Sequence, residues 1–136
     1  MHYLVTFTTN HRERLFDDPL LAMKVSACMA SDEAWQGAGL RAWVLMPDHA
    51  HAVVELDGTI SLPSVVKRAK AITSMACNRY RQAFGRVWSK AFHDRALECP
   101  SAVENAVAYV IRNPVRAGLA DDIGAYSFWG APAHLG

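Results

Sequence analysis

The chain of 136 residues is 51% hydrophobic and 20% charged, so it can bury a core as one domain, 1–136, and is not disordered. It has no apolar run long enough to span a membrane and no signal peptide pattern at its start, so we expect a cytoplasmic protein with no membrane partner. The three cysteines are odd in number and widely spaced, which predicts reduced thiols rather than disulfides or structural zinc.

The first half of the chain predicts a strand, a helix and a β-hairpin. Aromatic and β-branched residues mark the first strand, and an aspartate pair followed by proline suits the start of the helix. Two apolar runs separated only by Pro47 and Asp48 predict the hairpin. In chain order, these elements are expected over residues 3–9, 17–35, 40–46 and 49–56.

The second half predicts a long amphipathic helix capped by Ser61, a short fourth strand and a last helix. Pro114 is expected to end or kink the last helix, because the residue before a proline avoids the α region. Gly118 suits a cap, and a loose tail is expected after it. These elements are expected over residues 61–85, 87–93 and 100–114.

The resulting order is β-α-β-β-α-β with an additional C-terminal helix. This order is typical of an α+β fold of the ferredoxin-like kind, an antiparallel sheet with two helices on one face. The third strand carries His49 and His51, which we expect on the opposite face, partly covered by the last helix.

Charge is distributed unevenly along the chain. Residues 62–95 contain eight basic residues and one acidic residue, which gives a local charge of +7. A basic face on a nearly neutral protein suits a polyanion partner, although an ordinary solvated helix face is the alternative. The cations of the predicted long helix are Lys67, Arg68, Lys70, Arg79 and Arg81.

His49 and His51 are two residues apart on a predicted strand, so their imidazoles share one face. Such a pair can hold a divalent metal or a phosphate, or it can be ordinary polar surface. A hydrolytic metal site normally needs a third ligand and an open position. No HExxH motif is present, which argues against a metalloprotease.

Tyr109 and Asn113 are four residues apart on the last predicted helix and share a face if that helix stays regular up to Pro114. Arg116 would extend the same edge toward a phosphate. The alternative for Tyr109 is packing in or beside the core.

Several segments together resemble one family. His49-Ala50-His51 resembles the histidine–hydrophobic–histidine (HUH) motif of single-strand DNA endonucleases. The run from Tyr109 to Leu119 is similar to the tyrosine segment of the REP-associated tyrosine transposases, which belong to the single-tyrosine HUH superfamily. Residues 43–49 and 87–97 also match the pattern of that family, whose fold is ferredoxin-like.

The resemblance implies a metal-dependent transposase that cleaves and transfers single-stranded DNA. Tyr109 would attack the phosphorus and form a 5′-phosphotyrosine, while His49, His51 and Asn113 would bind Mg²⁺ or Mn²⁺. An amide oxygen, waters and phosphate oxygens beside two imidazoles favour these metals over zinc. The DNA-binding residues would be Lys67, Arg68, Lys70, Arg79, Arg81 and Arg116.

The expected substrate is the foot of a hairpin in palindromic repeat DNA, bound in the nucleoid by a monomer or a homodimer. Two alternatives stay open. One is a non-catalytic or domesticated nucleic-acid-binding module with the same fold. The other is a metal-dependent phosphohydrolase that uses water, with Tyr109 only structural.

Overall fold

The computed structural model describes residues 1–132. These residues form a five-stranded antiparallel sheet with three helices. None of the helices they form is long and apolar enough to cross a membrane. The elements are β1 (His2–Thr8), α1 (Pro19–Met29), β2 (Gly39–Met46), β3 (His49–Glu55), α2 (Leu62–Arg81), β4 (His93–Leu97), α3 (Pro100–Arg116) and β5 (Trp129–Gly130).

The strand order is β4-β1-β3-β2-β5, and each neighbouring pair is antiparallel. The first four strands and two helices follow the β-α-β-β-α-β order, so the predicted α+β, ferredoxin-like fold is confirmed. In the β1–β3 register, Thr6 lies opposite His51 and Thr8 lies opposite His49.

The sheet separates two apolar cores. On one face, β-strand residues such as Phe7, Leu45 and Val54 pack with α1 and α2. On the other face, Val44 and Val53 pack against α3. Successive strand residues point to opposite faces, so His49 and His51 share the α3 face with Val53, as predicted.

Both helices of the first core are shorter than predicted. The first ends at Met29, and Trp35 is instead held in the following turn, where its indole Nε1 donates to the Met29 carbonyl at 2.8 Å. The second does not reach Gly85. It ends at Arg81 because Gln82 adopts the left-handed conformation, with φ of 52°, and its N–H bonds back to the helix.

The predicted position of the fourth strand was wrong. Trp88 forms only an isolated bridge with Thr9, and its buried indole donates to Thr73 Oγ1 at 2.9 Å, so this segment fills the first core. The strand that pairs with β1 comes later, His93–Leu97. Four of its five residues are exposed, which hides the alternating pattern that marks a half-buried strand.

Pro114 does not end the last helix. α3 continues to Arg116, and the Ala117 N–H still reaches the Asn113 carbonyl at 2.9 Å. A proline inside a helix removes one hydrogen bond, but Pro114 is buried and its packing offsets part of that loss. Gly118, with φ of 77°, follows the helix end as predicted.

The expectation of a loose tail was also wrong for the described part of the chain. Residues 123–125 form a short 3-10 helix, and β5 pairs with β2. The Tyr126 hydroxyl donates to the Leu45 carbonyl at 2.6 Å. The last part of the predicted tail, residues 133–136, lies outside the described residues.

Candidate active site

The two histidines of β3 lie next to each other on the α3 face. Their ring centroids are 4.9 Å apart, and the rings are nearly perpendicular. His51 is buried, whereas His49 is partly exposed. The strand alternation therefore brings the two imidazoles together as the sequence predicted.

A hydrogen bond fixes the orientation of His49. Its Nδ1 lies 2.8 Å from Asp48 Oδ1, and Arg12 binds the other carboxylate oxygen at 3.0 Å. Burial alone would raise the pKa of Asp48, but hydrogen bonds from His49 and Arg12 lower it overall. An ionised carboxylate accepts only, so Nδ1–H of His49 donates, and in the neutral ring Nε2 then carries the lone pair that a ligand could use.

His51 is fixed in the same manner by Thr6, whose Oγ1 lies 2.7 Å from the His51 Nδ1. In the tautomer whose Nδ1–H donates to this hydroxyl, the Nε2 lone pair is available. Burial, followed by the nearby charges of His49 and Arg116, lowers the pKa of His51 to about 4. His51 is therefore neutral near pH 7, as a metal-binding imidazole must be.

α3 places Tyr109 against this pair. Its ring centroid lies 5.5 Å from that of His51, in an edge-to-face arrangement. The amphipathic helix packs Ala106, Val107 and Val110 against the sheet, while the Tyr109 side chain remains 37% exposed. Tyr109, the nucleophile that the family resemblance implies, thus lies beside His51 and is partly accessible to solvent.

Arg116 covers the tyrosine. Its guanidinium carbon is 4.3 Å from the centroid of the Tyr109 ring, and its Nη2 donates to the Tyr109 carbonyl at 3.2 Å. This is a cation–π contact between residues two helical turns apart.

A cleft of about 1010 Å³ opens beside these residues. Its lining is basic, since it contains three arginines and a single aspartate, Asp122. A strand of DNA carries phosphates that such a cleft can attract. Residues lining it include His51, Asn105, Tyr109, Arg95, Arg112 and Arg116.

Residues 1–113 match the family model described as "Transposase IS200 like". The chain belongs to this family. No curated protein sequence matches it. Among solved structures, it is similar to a REP-associated tyrosine transposase bound to a REP hairpin, with a TM-score of 0.72, 21% identity and coverage of 94% of this chain and 74% of the other. It is also similar to a putative transposase from Deinococcus radiodurans R1, with a TM-score of 0.57, 19% identity and coverage of 83% and 89%. At these identities the two structures show a shared fold.

The family assignment agrees with the resemblance seen in the sequence, and the histidine pair of this IS200-like transposase suits a divalent metal. With both Nδ1 atoms donating, both Nε2 atoms can bind a ligand, but residues 1–132 contain no cluster of three or more His, Cys, Asp or Glu side chains that could hold a metal. A third protein ligand would have to be of another type. Asn113 lies one turn after Tyr109 and is partly buried, and its amide oxygen is a metal ligand of that other type.

The five cations predicted on α2 do not lie at the candidate active site of this transposase. α2 packs on the first core, so it is separated by the sheet from the histidines and Tyr109. Three of the five already have partners in the protein. Arg68 donates to the Glu33 carbonyl at 2.9 Å, Lys70 to the Ser89 carbonyl at 2.6 Å, and Arg81 lies 3.9 Å from Glu13.

Sequence reasoning missed the groups that orient the histidines, and of the three arginines that line the cleft it named only Arg116 as a DNA-binding residue. Asp48 looked like a turn residue, and Thr6 looked like an ordinary strand residue. The antiparallel register would have placed Thr6 opposite His51. Arg95 is distant in sequence from Arg112, and nothing in the local pattern pairs β4 with α3.

Proposed function

We propose that this IS200-like transposase cleaves and rejoins single-stranded DNA with Tyr109 as its nucleophile. The observation that carries the proposal is the 5.5 Å separation between the Tyr109 and His51 rings, which places an accessible phenol beside an oriented imidazole pair. A tyrosine that only packed in the core would be buried, whereas Tyr109 is exposed beside the histidines.

The Tyr109 hydroxyl loses its proton and its oxygen attacks the scissile phosphorus. The bond from phosphorus to the 3′-oxygen breaks, and that oxygen takes up a proton, leaving a free 3′-hydroxyl and a 5′-phosphotyrosine. The reverse attack by another 3′-hydroxyl joins the strand to a new partner. The covalent link conserves the energy of the phosphodiester for that second step.

His49, His51 and Asn113 are proposed to hold Mg²⁺ or Mn²⁺. When bound, the ion polarises the scissile phosphate and stabilises its developing charge. Asp48 and Thr6 keep the two imidazoles in the required orientation through their Nδ1 atoms. Closely held outer partners of this kind are typical of metal-binding histidines.

The substrate is proposed to be hairpin-forming repeat DNA with an unpaired segment at its foot. Support comes from the basic cleft and from the solved relative, which is bound to a REP hairpin. Arg116, with Arg95 and Arg112, would bind phosphates of the strand that enters the cleft. The α2 cations Lys67, Arg68, Lys70, Arg79 and Arg81 would bind DNA on the other side of the sheet.

The test is to incubate the protein with end-labelled hairpin single-stranded DNA and Mn²⁺ and to look for a protein–DNA adduct that survives denaturation. We expect an adduct with the natural sequence and none with Tyr109→Phe, which removes one oxygen. Tyr126→Phe is the matched control, because Tyr126 is directed at the Leu45 carbonyl. Absence of an adduct on every repeat hairpin tried would favour a binding module, and cleavage by Tyr109→Phe would favour a water-using phosphohydrolase.

We further propose that Tyr109 acts within its own chain, whether the protein is a monomer or a homodimer, because it contacts His51 of the same chain. Mixing inactive Tyr109→Phe and His51→Ala proteins tests whether Tyr109 acts with the histidines of its own chain or with those of another chain. We expect no recovery of adduct formation in the mixture. Recovery would mean that tyrosine and histidines come from different chains.

A further inference from the structure

Phe84 is the most exposed large hydrophobic residue among residues 1–132, with a relative accessibility of 100% for the residue. It lies in the turn of residues 82–86 that leaves α2. A single exposed hydrophobic side chain is common on protein surfaces and requires no explanation by itself. Phe84 differs from such residues because its turn is anchored by hydrogen bonds and lies next to a basic notch.

The turn that carries Phe84 is well fixed. The Ala83 N–H donates to the Asn78 carbonyl and the Asn78 side-chain amide donates to the Gly85 carbonyl, both at 3.0 Å. Immediately after the turn, Val87 and Trp88 are buried in the first core. Phe84 is thus held outward by an anchored backbone.

A small notch of about 230 Å³ begins next to Phe84, since Gly85 and Arg86 line it. It lies between α2 and the segment that follows the turn, on the far side of the sheet from Tyr109. Counting Arg86, four cations and two serines line the notch, and no acidic residue does. These polar lining residues are Lys67, Lys70, Ser74, Arg86, Ser89 and Lys90.

The cations of the notch have different roles. Lys70 is directed at backbone carbonyls of residues 89–91, and burial together with the Arg86 charge lowers its pKa. None of the ion pairs found among residues 1–132 involves Lys67, Arg86 or Lys90. These three therefore leave a positive potential at the notch that the protein does not neutralise.

We propose that Phe84 and the notch form a second DNA-binding site, which we call the Phe84 surface and define as Lys67, Ser74, Phe84, Arg86 and Lys90. A phosphate lies in the notch, and an adjacent unpaired base stacks on the Phe84 ring. This inference rests on the proposed function, because it takes DNA as the ligand. It adds that the enzyme binds an unpaired segment far from the cleft in which it cuts.

An unpaired strand fits the Phe84 surface better than a duplex does. A fully exposed aromatic ring offers a stacking surface to any base whose own face is open, and combined stacking and phosphate contacts are typical of single-strand binding. In a duplex the bases already stack on each other, so Phe84 would contribute little. The cations alone would bind duplex and single strand without this preference.

The test measures fluorescence anisotropy of a labelled mixed-sequence oligodeoxynucleotide of about 12 nucleotides, within the usual site size for single strands. Metal is omitted and all proteins carry Tyr109→Phe, so that no cleavage occurs. We expect Phe84→Ala to weaken binding roughly 5- to 150-fold, the equivalent of ~1–3 kcal/mol of base stacking. Binding to a duplex of equal length should change less than twofold.

Lys67→Ala with Lys90→Ala tests the notch. Because each phosphate contact to a single strand contributes about 0.7 to the salt slope, we expect the double variant to lower the slope by about 1.4. Matched controls come from α1, where Met23 is 55% exposed and Lys24 is also exposed. Met23→Ala and Lys24→Ala should leave binding unchanged. Unaltered unfolding temperatures establish that the variants are folded.

Equal losses on duplex and single strand after Phe84→Ala would overturn the stacking role. So would unchanged DNA binding with loss of binding to anionic lipid vesicles, which would make the surface a membrane contact. Failure of the proposed function would be distinguishable from failure of this inference. If protein with Tyr109 intact forms no adduct while Phe84→Ala still loses single-strand affinity, the site stands and the cleavage proposal falls. If the adduct forms but Phe84→Ala binds normally, only this inference falls.

Discussion

The guanidinium of Arg116 covers the ring of Tyr109, with 4.3 Å between the guanidinium carbon and the ring centroid. The two residues are seven positions apart, so they share a face only because α3 continues through Pro114. The same arginine donates to the Tyr109 backbone carbonyl. Arg116 therefore holds the tyrosine at both its ring and its main chain.

This contact predicts that Arg116 positions the nucleophile as well as binding phosphate. Arg116→Lys keeps the charge but removes the guanidinium that lies over the Tyr109 ring. A cation–π contact at an exposed site contributes ~0.5–1 kcal/mol, so we expect adduct formation at saturating DNA to slow about two- to fivefold. Single-turnover kinetics with labelled hairpin DNA measures this rate.

Arg112→Lys is the control for that measurement, because Arg112 lines the same cleft without covering the ring. We expect it to leave the rate at saturating DNA unchanged. If Arg116→Lys alters only the DNA concentration needed for half-maximal rate, Arg116 is a phosphate ligand alone.

Orientation of the histidines predicts a second effect. Thr6→Val removes the hydroxyl beside His51 Nδ1 and keeps the shape of the side chain. Loss of such an outer partner typically costs about 10- to 100-fold in metal affinity or activity. Titration calorimetry with Mn²⁺ checks this. Thr59→Val, at an exposed position bonded only to Asp57, should leave Mn²⁺ affinity as it was.

Asn113 as third ligand is tested by Asn113→Ala, with Asn105→Ala as its match on the same helix. Asn105 lines the cleft two turns earlier and is exposed. We expect Asn113→Ala to lower Mn²⁺ affinity by at least about tenfold, since a direct ligand should matter as much as an outer partner. Equal affinities for the two variants would remove Asn113 from the ligand set.

The sequence was most informative where local periodicity decides the outcome. Alternation on β3 placed His49 and His51 on one face, and the caps at Ser61 and Gly118 marked helix ends correctly. The shared face of Tyr109 and Asn113 followed from helical spacing alone.

The sequence was least informative where tertiary packing overrides the conformational preference of the local residues. Burial of Pro114 lets α3 continue past a residue that usually ends a helix. Trp88 fills a core that the sequence cannot locate, so the edge strand was placed too early. The α2 cations lie across the sheet from the histidines, as expected, but the local pattern does not show that Arg68, Lys70 and Arg81 have partners within the protein.

The C-terminal segment gives the last prediction. Burial, and to a lesser extent Asp17, raises the pKa of Tyr126 from 10.0 to about 12, and its hydroxyl donates to the Leu45 carbonyl. Tyr126→Phe leaves that carbonyl without this donor, so we expect a loss of ~1–3 kcal/mol in the free energy of unfolding near pH 7. Urea unfolding measures the loss, and adduct formation should persist because Tyr126 lies outside the proposed chemistry.

The same variant predicts a pH dependence of known sign. Because the folded pKa of Tyr126 is raised, the folded protein holds this proton more tightly than the unfolded chain does. The contribution is fully present below pH 10.0, the unfolded value, and is lost as the pH rises toward about 12. Urea unfolding of the natural sequence and of Tyr126→Phe should therefore converge over this interval. Parallel curves would mean that the folded protein does not hold the Tyr126 proton more tightly than the unfolded chain does.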